Sequence, residues 1–255
     1  MKCLGQDPAT ADYMDPPHLD HGEPNLSVIV LSYGQYIFHP VKHSLGVLYG
    51  LEALGDNGLI TPLGKSIAQF PLDPPSACAL LASKDTECTL ETIIILSLLS
   101  ASGIVLLEPA ATDLRDTVKD ARSKFRHSSG DHLTLLNVYR SYEDILFGTP
   151  SEINGVTGNS GGKQAAKDWC ARHFINERSL REARDIAKQL SQICQKLGVD
   201  PAVSCGEDTD RVLRTILLGR YQNCAFLSPG GTYLQVFDKQ VRVFCFGRGL
   251  WRWAA

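Results

Sequence analysis

Apolar residues recur every three or four positions over much of the chain, which predicts a mainly helical protein. The clearest case is a long helix near Ser179–Leu197, with Gly198 as the residue that ends it. Its apolar stripe consists of Leu180, Ala183, Ala187, Leu190, Cys194 and Leu197. We expect this stripe to face a core and the opposite, charged face to lie in solvent.

Shorter segments are also predicted to be helical. Ser76–Ser102 indicates two helices, and the second, Leu90–Leu99, is apolar nearly all round, which predicts burial. Asp113–Phe125 is charged and helical, and a further helix follows the capping segment Ser128–Asp131. The last predicted helix is Thr209–Leu218.

A small helix–turn–helix pattern precedes these segments. Ser44 is a candidate N-cap for a short helix over Leu45–Leu54, and Asp56-Asn57-Gly58 indicates a turn. Leu59-Ile60 is a minimal strand, and Thr61–Phe70 begins with an N-cap residue followed by Pro, which favours a second helix. A helix, a short wing-like turn and a helix outline a small winged-helix unit.

Three segments depart from helical spacing. Residues 1–43 are irregular, although Leu26–Leu31 and Gln35–His39 are strand-like. Thr149–Gln164 is rich in Gly, Ser and Asn, which predicts a flexible surface loop. In the tail the period changes to two, and a β-hairpin is predicted around Asp238-Lys239. Its strands would be Tyr233–Phe237 and Gln240–Phe246.

These elements predict a mainly α fold that combines a degenerate winged helix, a helical bundle and a small C-terminal β-hairpin. The predicted boundaries place an irregular N-terminal segment at 1–43 and a winged-helix-like unit at 44–84. The helical domain follows at 85–227, and a β-rich end occupies 228–255.

Charge is distributed unevenly along the 255 residues. Residues 1–110 hold 4 Lys and Arg against 12 Asp and Glu, a net −8, whereas residues 111–255 hold 21 against 16, a net +5. A basic second half favours a polyanionic partner such as RNA, although many of its cations have acidic neighbours. The eight cysteines form no C-x-x-C pair, so we expect free thiols in a reducing compartment rather than a zinc ribbon.

The sequence offers no motif for catalysis. The closest approach to a phosphate-binding loop is Gly162-Lys163, which lacks the preceding Gly and the following Ser or Thr. His39 and His43 are four residues apart but Pro40 lies between them, so we expect no metal site. The sequence shows no secretory signal. It also contains no apolar run of the roughly 20 residues that a membrane span needs.

Basic residues on the long helix are the best candidates for function. They form a band beside the apolar stripe, at Arg178, Arg181, Arg184 and Lys188. Such a band can follow a phosphate backbone. However, Glu177, Arg181 and Asp185 are spaced to pair along the helix, so the spacing by itself favours a solvated, self-paired face somewhat over nucleic-acid contact. Lys124 and Arg126 are the next candidates for RNA contact.

Several short segments, taken together, resemble a known family. They are, in chain order, MDPP at 14–17, LEALGDNGLITPLG at 51–64, FPLDP at 70–74, KF at 124–125, GDHLTLLNVY at 130–139, DWC at 168–170, FINERSLR at 174–181, VSCG at 203–206, GGTY at 230–233 and QV at 240–241. They resemble the C-terminal region of DEAH-box RNA helicases, over about residues 44–245 with one loop gap. The regions concerned are the winged helix, the ratchet-like helicase-associated (HA2) domain and the opening strands of an OB-fold.

The resemblance implies an accessory region without a motor. In this family ATP and Mg²⁺ bind two RecA-like domains, whose Walker A, DEAH-box and arginine-finger motifs are missing from this sequence. Full-length members couple ATP hydrolysis to 3′-to-5′ translocation on RNA, and their helical domain and OB-fold close over the single strand. The resemblance therefore implies weak, non-specific binding of single-stranded RNA, docking of helicase activator proteins and no cofactor in this chain.

The sequence departs from the family at two places. About 26 extra residues separate Pro17 from Ser44, and Val241 is followed by RVFCFGRGLWRWAA instead of a His-Pro-Ser-Ser segment. Both departures suggest altered splicing or translated non-coding sequence. About two of the five OB-fold strands are predicted, which puts the RNA-binding surface of that fold in doubt.

Three functions are weighed on these grounds. The first is the accessory region of an ATP-dependent RNA helicase, and the second is a protein-interaction module, or a splice or gene-model fragment, without RNA binding. The third, an active enzyme, is disfavoured by the missing motor motifs. The GGTY run at 230–233 favours members linked to ribosome biogenesis over splicing members, and hence an intracellular, nuclear or nucleolar location.

Overall fold

Helices make up most of the structure. The computed structural model describes residues 41–109, 114–147, 159–228, 233–235, 242–245 and 251–253. The helices are α1 (41–50), α2 (Pro62–Ile67), α3 (Pro74–Ala82), α4 (Thr89–Ser100), α5 (Arg115–Arg122), α6 (Asp131–Phe147), α7 (Asn159–Arg172), α8 (Glu177–Lys196) and α9 (Thr209–Arg220). The mainly α fold is therefore confirmed. The strand-like segments Leu26–Leu31 and Gln35–His39 lie outside the described residues.

The chain divides into two compact units, Met1–Cys78 and Ala79–Ala255. In the first unit, α1 already includes residues 41–43 and ends at residue 50, so the prediction of a cap at Ser44 and a helix through Leu54 is wrong. Glu52 takes a positive φ of 57°, which ends the helical path, and Leu54 then pairs with Ile60 in an antiparallel bridge.

The start of α2 is confirmed as predicted. Thr61 is its N-cap, and the Thr61 hydroxyl accepts a hydrogen bond from the Gly64 N–H at 2.9 Å. The same hydroxyl donates to the Glu52 carbonyl at 2.7 Å, which ties the cap to the turn after α1. Gly64 lies so close to this turn that a Cβ there would be 2.2 Å from the Ala53 carbonyl oxygen. The helix–turn–helix pattern is thus held by a cap and a close backbone contact.

The second unit has its core between α4, α6, α7 and α8. As predicted, α3 and α4 are separate helices, and α4 is buried from Glu91 to Leu98, but Leu90 and Leu99, at the two ends of the segment predicted to be buried, are exposed. The buried polar side chains of α4 are hydrogen-bonded inside the helix or to neighbours, as when the Ser97 hydroxyl donates to the Ile93 carbonyl at 2.6 Å. Helix α8 packs along α4.

The long helix follows its prediction closely. The side chain of Asn176 caps it by accepting from the Ser179 N–H at 3.5 Å, and Gly198, with φ of 72°, lies just after its end. Within the predicted stripe, four residues are fully buried and two are half-buried. The buried ones are Leu180, Ala183, Leu190 and Cys194, and the half-buried ones are Ala187 and Leu197.

The loop predicted over Thr149–Gln164 is wrong at its end, because α7 begins at Asn159. A Cβ at Gly162 would lie 2.8 Å from the Leu146 carbonyl oxygen. Gly162 therefore lets α7 approach the end of α6, and this glycine permits close helix packing instead of forming part of a loop. Residues 149–158 lie outside the described part.

The tail contains an antiparallel sheet of four short strands in sequential order. They are β1 (Ala225–Leu227), β2 (Tyr233–Gln235), β3 (Arg242–Cys245) and β4 (Trp251–Trp253). The predicted hairpin is confirmed as β2 and β3, with Tyr233 opposite Val243. The two outer strands, β1 and β4, had not been predicted.

Candidate nucleic-acid interface

The four basic candidates on α8 lie on its solvent-facing side, and three of them have nearby partners. Arg181 Nη2 lies 3.1 Å from Glu177 Oε2, and Lys188 Nζ lies 3.4 Å from Asp185 Oδ1. The guanidinium of Arg184 lies over the Phe147 ring, 4.4 Å from its centre. The predicted pair of Arg181 with Glu177 is therefore present, whereas Asp185 pairs with Lys188 rather than with Arg181.

These ion pairs leave the cations accessible. The side chains of Arg181 and Lys188 are 63% and 61% exposed, and Arg178 is exposed as well. An exposed pair of this kind contributes about 0–1 kcal/mol, because water screens the charges and the long side chains lose conformational freedom. A phosphate group can therefore replace the carboxylate at small cost.

The other two candidates lie on a different element. Lys124 and Arg126 are exposed residues at the short 3₁₀ turn Ser123–Phe125, which continues α5. Lys124 Nζ lies 4.8 Å from the centre of the Phe125 ring. The six candidate cations are thus divided between α8 and this turn.

Phe125 is the centre of a small aromatic cluster. Its ring meets that of Trp169 edge to face, with centres 5.4 Å apart, and Trp169 lies 4.8 Å from the His173 ring. Beside the cluster is a shallow cavity of about 330 Å³. We call it the Arg140 groove, and it is lined by Lys124, Phe125, Asn137, Arg140, Ser141 and Trp169.

Of the polar residues that line this groove, only Lys124 was predicted from the sequence as a candidate for RNA contact. Asn137, Arg140 and Ser141 lie at i, i+3 and i+4 on α6, so they share one helix face. That polar spacing is visible in the sequence, but the sequence analysis predicted no role for this face of the helix.

A buried carboxylate holds Arg140 in place. Glu91 is 1% exposed, and its Oε1 lies 2.8 Å from Arg140 Nη2. Glu91 also accepts from the Ser204 hydroxyl at 2.5 Å and from the Cys205 N–H at 3.3 Å. Arg140 donates in addition to the Gly206 carbonyl at 3.3 Å. The guanidinium is therefore fixed in position, while 40% of the side chain stays exposed.

Two histidines of this unit contribute no stable positive charge near neutral pH. Burial lowers the pKa of His173, and the nearby cations Lys124 and Arg172 lower it further, while a hydrogen bond to the Trp169 carbonyl opposes them. Burial also lowers the pKa of His132, with Arg220 acting in the same direction.

Arg122 has a structural role instead of a binding one. Its Nε donates to the His173 carbonyl at 3.1 Å, and its Nη2 donates to the carbonyls of Leu107 and Phe174. Burial lowers its pKa, and Glu108 raises it. This cation is committed to backbone carbonyls and is not available to a ligand.

In the described part of the chain, no three His, Cys, Asp or Glu side chains are grouped closely enough to hold a metal ion. Among the same residues, no helix combines the length and apolarity required to cross a membrane.

Comparison with known proteins supports the resemblance at the level of domains. Residues 44–72 match the helicase associated domain (HA2), winged-helix, and residues 73–135 match the helicase associated domain (HA2), ratchet-like. The chain is 33% identical over 224 residues to the mouse protein named ATP-dependent RNA helicase DHX33, which covers 88% of this chain and 27% of that protein. Its human counterpart is 32% identical over 224 residues, with coverage of 88% and 26%.

A splicing protein is similar at nearly the same level. The fission yeast Pre-mRNA-splicing factor ATP-dependent RNA helicase prp22 is 30% identical over 226 residues, which are 88% of this chain and 16% of that protein. The chain spans about a quarter or less of the length of these curated relatives. The chain therefore carries the winged-helix and ratchet-like HA2 domains of the C-terminal region of a DEAH-box RNA helicase.

Proposed function

We propose that this HA2 region contacts the backbone of single-stranded RNA and docks helicase activator proteins, and that it has no ATPase motor of its own. ATP and Mg²⁺ would bind motor domains of the family and not residues of this chain. Support comes from the two HA2 domains, from relatives named as ATP-dependent RNA helicases, and from the absence of a phosphate-binding loop in the sequence.

The observation that carries the RNA proposal is the accessible cationic face of α8. From Arg178 to Lys188 the helix rises about 15 Å, so four cations can neutralise a few successive phosphates. Glu177 and Asp185 lie on the same face and cancel part of this field. We therefore expect weak, sequence-independent binding, with dissociation constants of about 10⁻⁴–10⁻⁶ M at physiological salt, a range taken from non-specific duplex DNA binding.

Exposed apolar side chains support the docking of a partner. They lie at the end of α9 and on β1, and are Leu217, Leu218, Phe226 and Leu227, each 44–59% exposed. A contiguous apolar patch is typical of protein contact surfaces, and these four residues are the candidates for one. An intracellular, nuclear or nucleolar location and a link to ribosome biogenesis are part of the proposal and depend on the resemblance alone.

The second candidate function is a protein-interaction module, or a splice or gene-model fragment, without RNA binding. The observation in its favour is the self-pairing of Arg181 and Lys188, which leaves α8 with a smaller net field than its cations suggest.

Salt-dependent RNA binding distinguishes the two functions. Fluorescence anisotropy of labelled oligo(U) with the 255-residue chain should show binding that weakens as salt rises. The triple change Arg181→Glu, Arg184→Glu and Lys188→Glu should abolish it while circular dichroism stays unchanged, because the buried stripe is untouched. A control with the same change in charge alters Lys84, Lys119 and Arg214 to Glu, which are exposed cations outside α8.

The proposed lack of a motor is tested separately. We expect no RNA-stimulated ATP hydrolysis by the purified chain, since catalysis of this kind needs a phosphate cradle and acidic metal ligands. Turnover that persists through repeated purification would contradict this part of the proposal.

A further inference from the structure

The Arg140 groove has the composition of an anion site. It is lined by two cations, Lys124 and Arg140, and by two uncharged polar residues, Asn137 and Ser141. Among the described residues that line it there is no carboxylate, but the buried Glu91 behind the wall offsets part of the charge of Arg140, so Lys124 supplies much of the positive field. At about 330 Å³ it lies at the small end of ligand pockets, so it fits a ligand of about one nucleotide rather than a large cofactor.

Arg140 is prepared for binding before a ligand arrives. Glu91 and the Gly206 carbonyl both hold guanidinium Nη2, so the side chain loses little further freedom when it meets a ligand. A guanidinium presents several N–H donors in one plane, and phosphate oxygens match that geometry. Lys124 adds a second charge on the same groove, and its side chain is exposed.

The aromatic rings of the groove are not free to stack on a base. Phe125 and Trp169 are only 4% and 6% exposed, Lys124 lies over the Phe125 ring, and Trp169 packs against Phe125 and His173. As lining residues they still give the groove an apolar part, which suits the carbon face of a sugar. The amide nitrogen of Asn137 already donates to the Phe125 carbonyl at 3.1 Å, so its oxygen can accept from a ribose hydroxyl.

We propose that the Arg140 groove binds the phosphate and ribose of one nucleotide of single-stranded RNA without reading its base. This inference rests on the proposed RNA contact and adds a second anchor to it, at a different element from α8. The two anchors together bind successive parts of a strand more tightly than either does alone.

Two variants test the groove in the 255-residue chain. Lys124→Glu reverses an exposed charge, and Ser141→Asp places a carboxylate on the groove wall. Their controls are Lys119→Glu, at a 75% exposed position on α5, and Ser129→Asp, at an exposed turn. We expect each groove variant to weaken oligo(U) binding about tenfold, and each control less than about twofold, by fluorescence anisotropy.

The salt dependence gives a second readout. Loss of one phosphate contact should reduce the slope of log K against log salt by about 0.7 for a single strand. Urea unfolding midpoints show whether either variant is destabilised, and Lys124→Glu keeps the test valid if Ser141→Asp does not fold.

The nature of the contact is tested with the unaltered chain. Oligo(A) and oligo(U) should bind equally, and oligo(dU) should bind more weakly than oligo(U) because it lacks the 2′-hydroxyl. A clear preference between the two RNA homopolymers, or equal affinity for oligo(dU) and oligo(U), would overturn the assignment of phosphate and ribose.

The outcomes separate this inference from the proposed function. If the α8 triple variant loses binding while both groove variants bind like the unaltered chain, the groove proposal is wrong and the RNA proposal stands. If the unaltered chain binds no RNA at any salt concentration, both are wrong. A loss that is confined to the groove variants would support the groove as the principal anchor.

Discussion

Helices α4 and α8 pack against each other, yet they place their polar side chains in opposite environments. In α4 the polar residues Glu91, Thr92 and Ser97 are buried and hydrogen-bonded. In α8 the apolar stripe faces the core and the charged residues lie in solvent. The buried polar groups of α4 therefore fix the structure, whereas the exposed cations of α8 are available to a ligand.

The two helices also begin differently. Asn176 caps α8 with its own side chain, but Cys88 at the start of α4 makes no capping hydrogen bond through its side chain. Instead the Leu90 N–H of α4 donates to the Val203 carbonyl at 2.9 Å. In the first turn of α8, a free backbone N–H is hydrogen-bonded by the neighbouring residue Asn176. In the first turn of α4, the acceptor comes from a distant segment, so α4 depends more on the tertiary fold.

The largest loss of stability is expected when Glu91 is replaced. The change Glu91→Ala removes the carboxylate that accepts hydrogen bonds from the Arg140 guanidinium, the Ser204 hydroxyl and the Cys205 N–H. Because Arg140 is 40% exposed and keeps the Gly206 carbonyl, the cost is that of unsatisfied, partly buried donors, and the free energy of unfolding should fall by about 1–3 kcal/mol. Urea unfolding followed by circular dichroism measures it. The control Glu87→Ala removes a 69% exposed carboxylate and should cost about 1 kcal/mol or less.

A smaller effect is expected at the cap of α8. The change Asn176→Ala removes the acceptor for the Ser179 N–H and should lower the free energy of unfolding by about 1 kcal/mol. Asn176→Asp keeps an acceptor and should retain most of the stability in the same urea titration. An Asp variant as unstable as the Ala variant would show that the amide donor, which reaches the Ile104 carbonyl, is the important group.

The exposed face of α8 should barely affect stability. The change Arg181→Ala breaks an exposed pair with Glu177, and the free energy of unfolding should change by less than about 0.5 kcal/mol. The same variant should bind oligo(U) measurably more weakly, because one cation of the band is lost. Lys196→Ala, in the last turn of α8, is a control that lies outside the band. Equal RNA affinity for both variants would contradict the role of the band.

The smallest effect is expected for chemical modification of Cys194, which lies on the buried side of α8. Burial raises the pKa of this thiol to about 11, so at pH 8 it is protonated as well as covered. Brief treatment of the folded chain with iodoacetamide, followed by peptide mass spectrometry, should find Cys194 unmodified. The half-buried Cys224 is the internal comparison and should react first. Rapid modification of Cys194 without unfolding would show that the stripe of α8 is not buried.

The sequence predicted α8 well because its apolar stripe, its polar face and Gly198 all agree. It also predicted the two helices within Ser76–Ser102 and the cap at Thr61. The start of α1 could not be predicted from Ser44, since a good capping residue also tolerates a position within a helix when tertiary packing favours it. Gly162 was misinterpreted because a glycine that permits close helix packing and one that breaks a helix look alike in a sequence.

Of the candidate site, the part that lies on one helix could be predicted, and the part that several elements form together could not. The cations of α8 follow directly from helical spacing, and so does the pairing of Arg181 with Glu177. The Arg140 groove depends on side chains from the turn after α5, from α6 and from α7. Only the packing of these elements brings Lys124, Arg140 and Trp169 together, and no local pattern encodes that packing.

The contacts of Arg122 also bear on the order of folding. Helix α5 has only eight residues and fully buries Val118 alone, so it is too short to be stable by itself in water. Its firmest connections are the bonds from Arg122 to His173 and Phe174, more than fifty residues later in the chain. We expect α5 to become ordered only after the corner between α7 and α8 has formed. In pulsed hydrogen exchange during refolding, the amides of α8 should gain protection before those of α5.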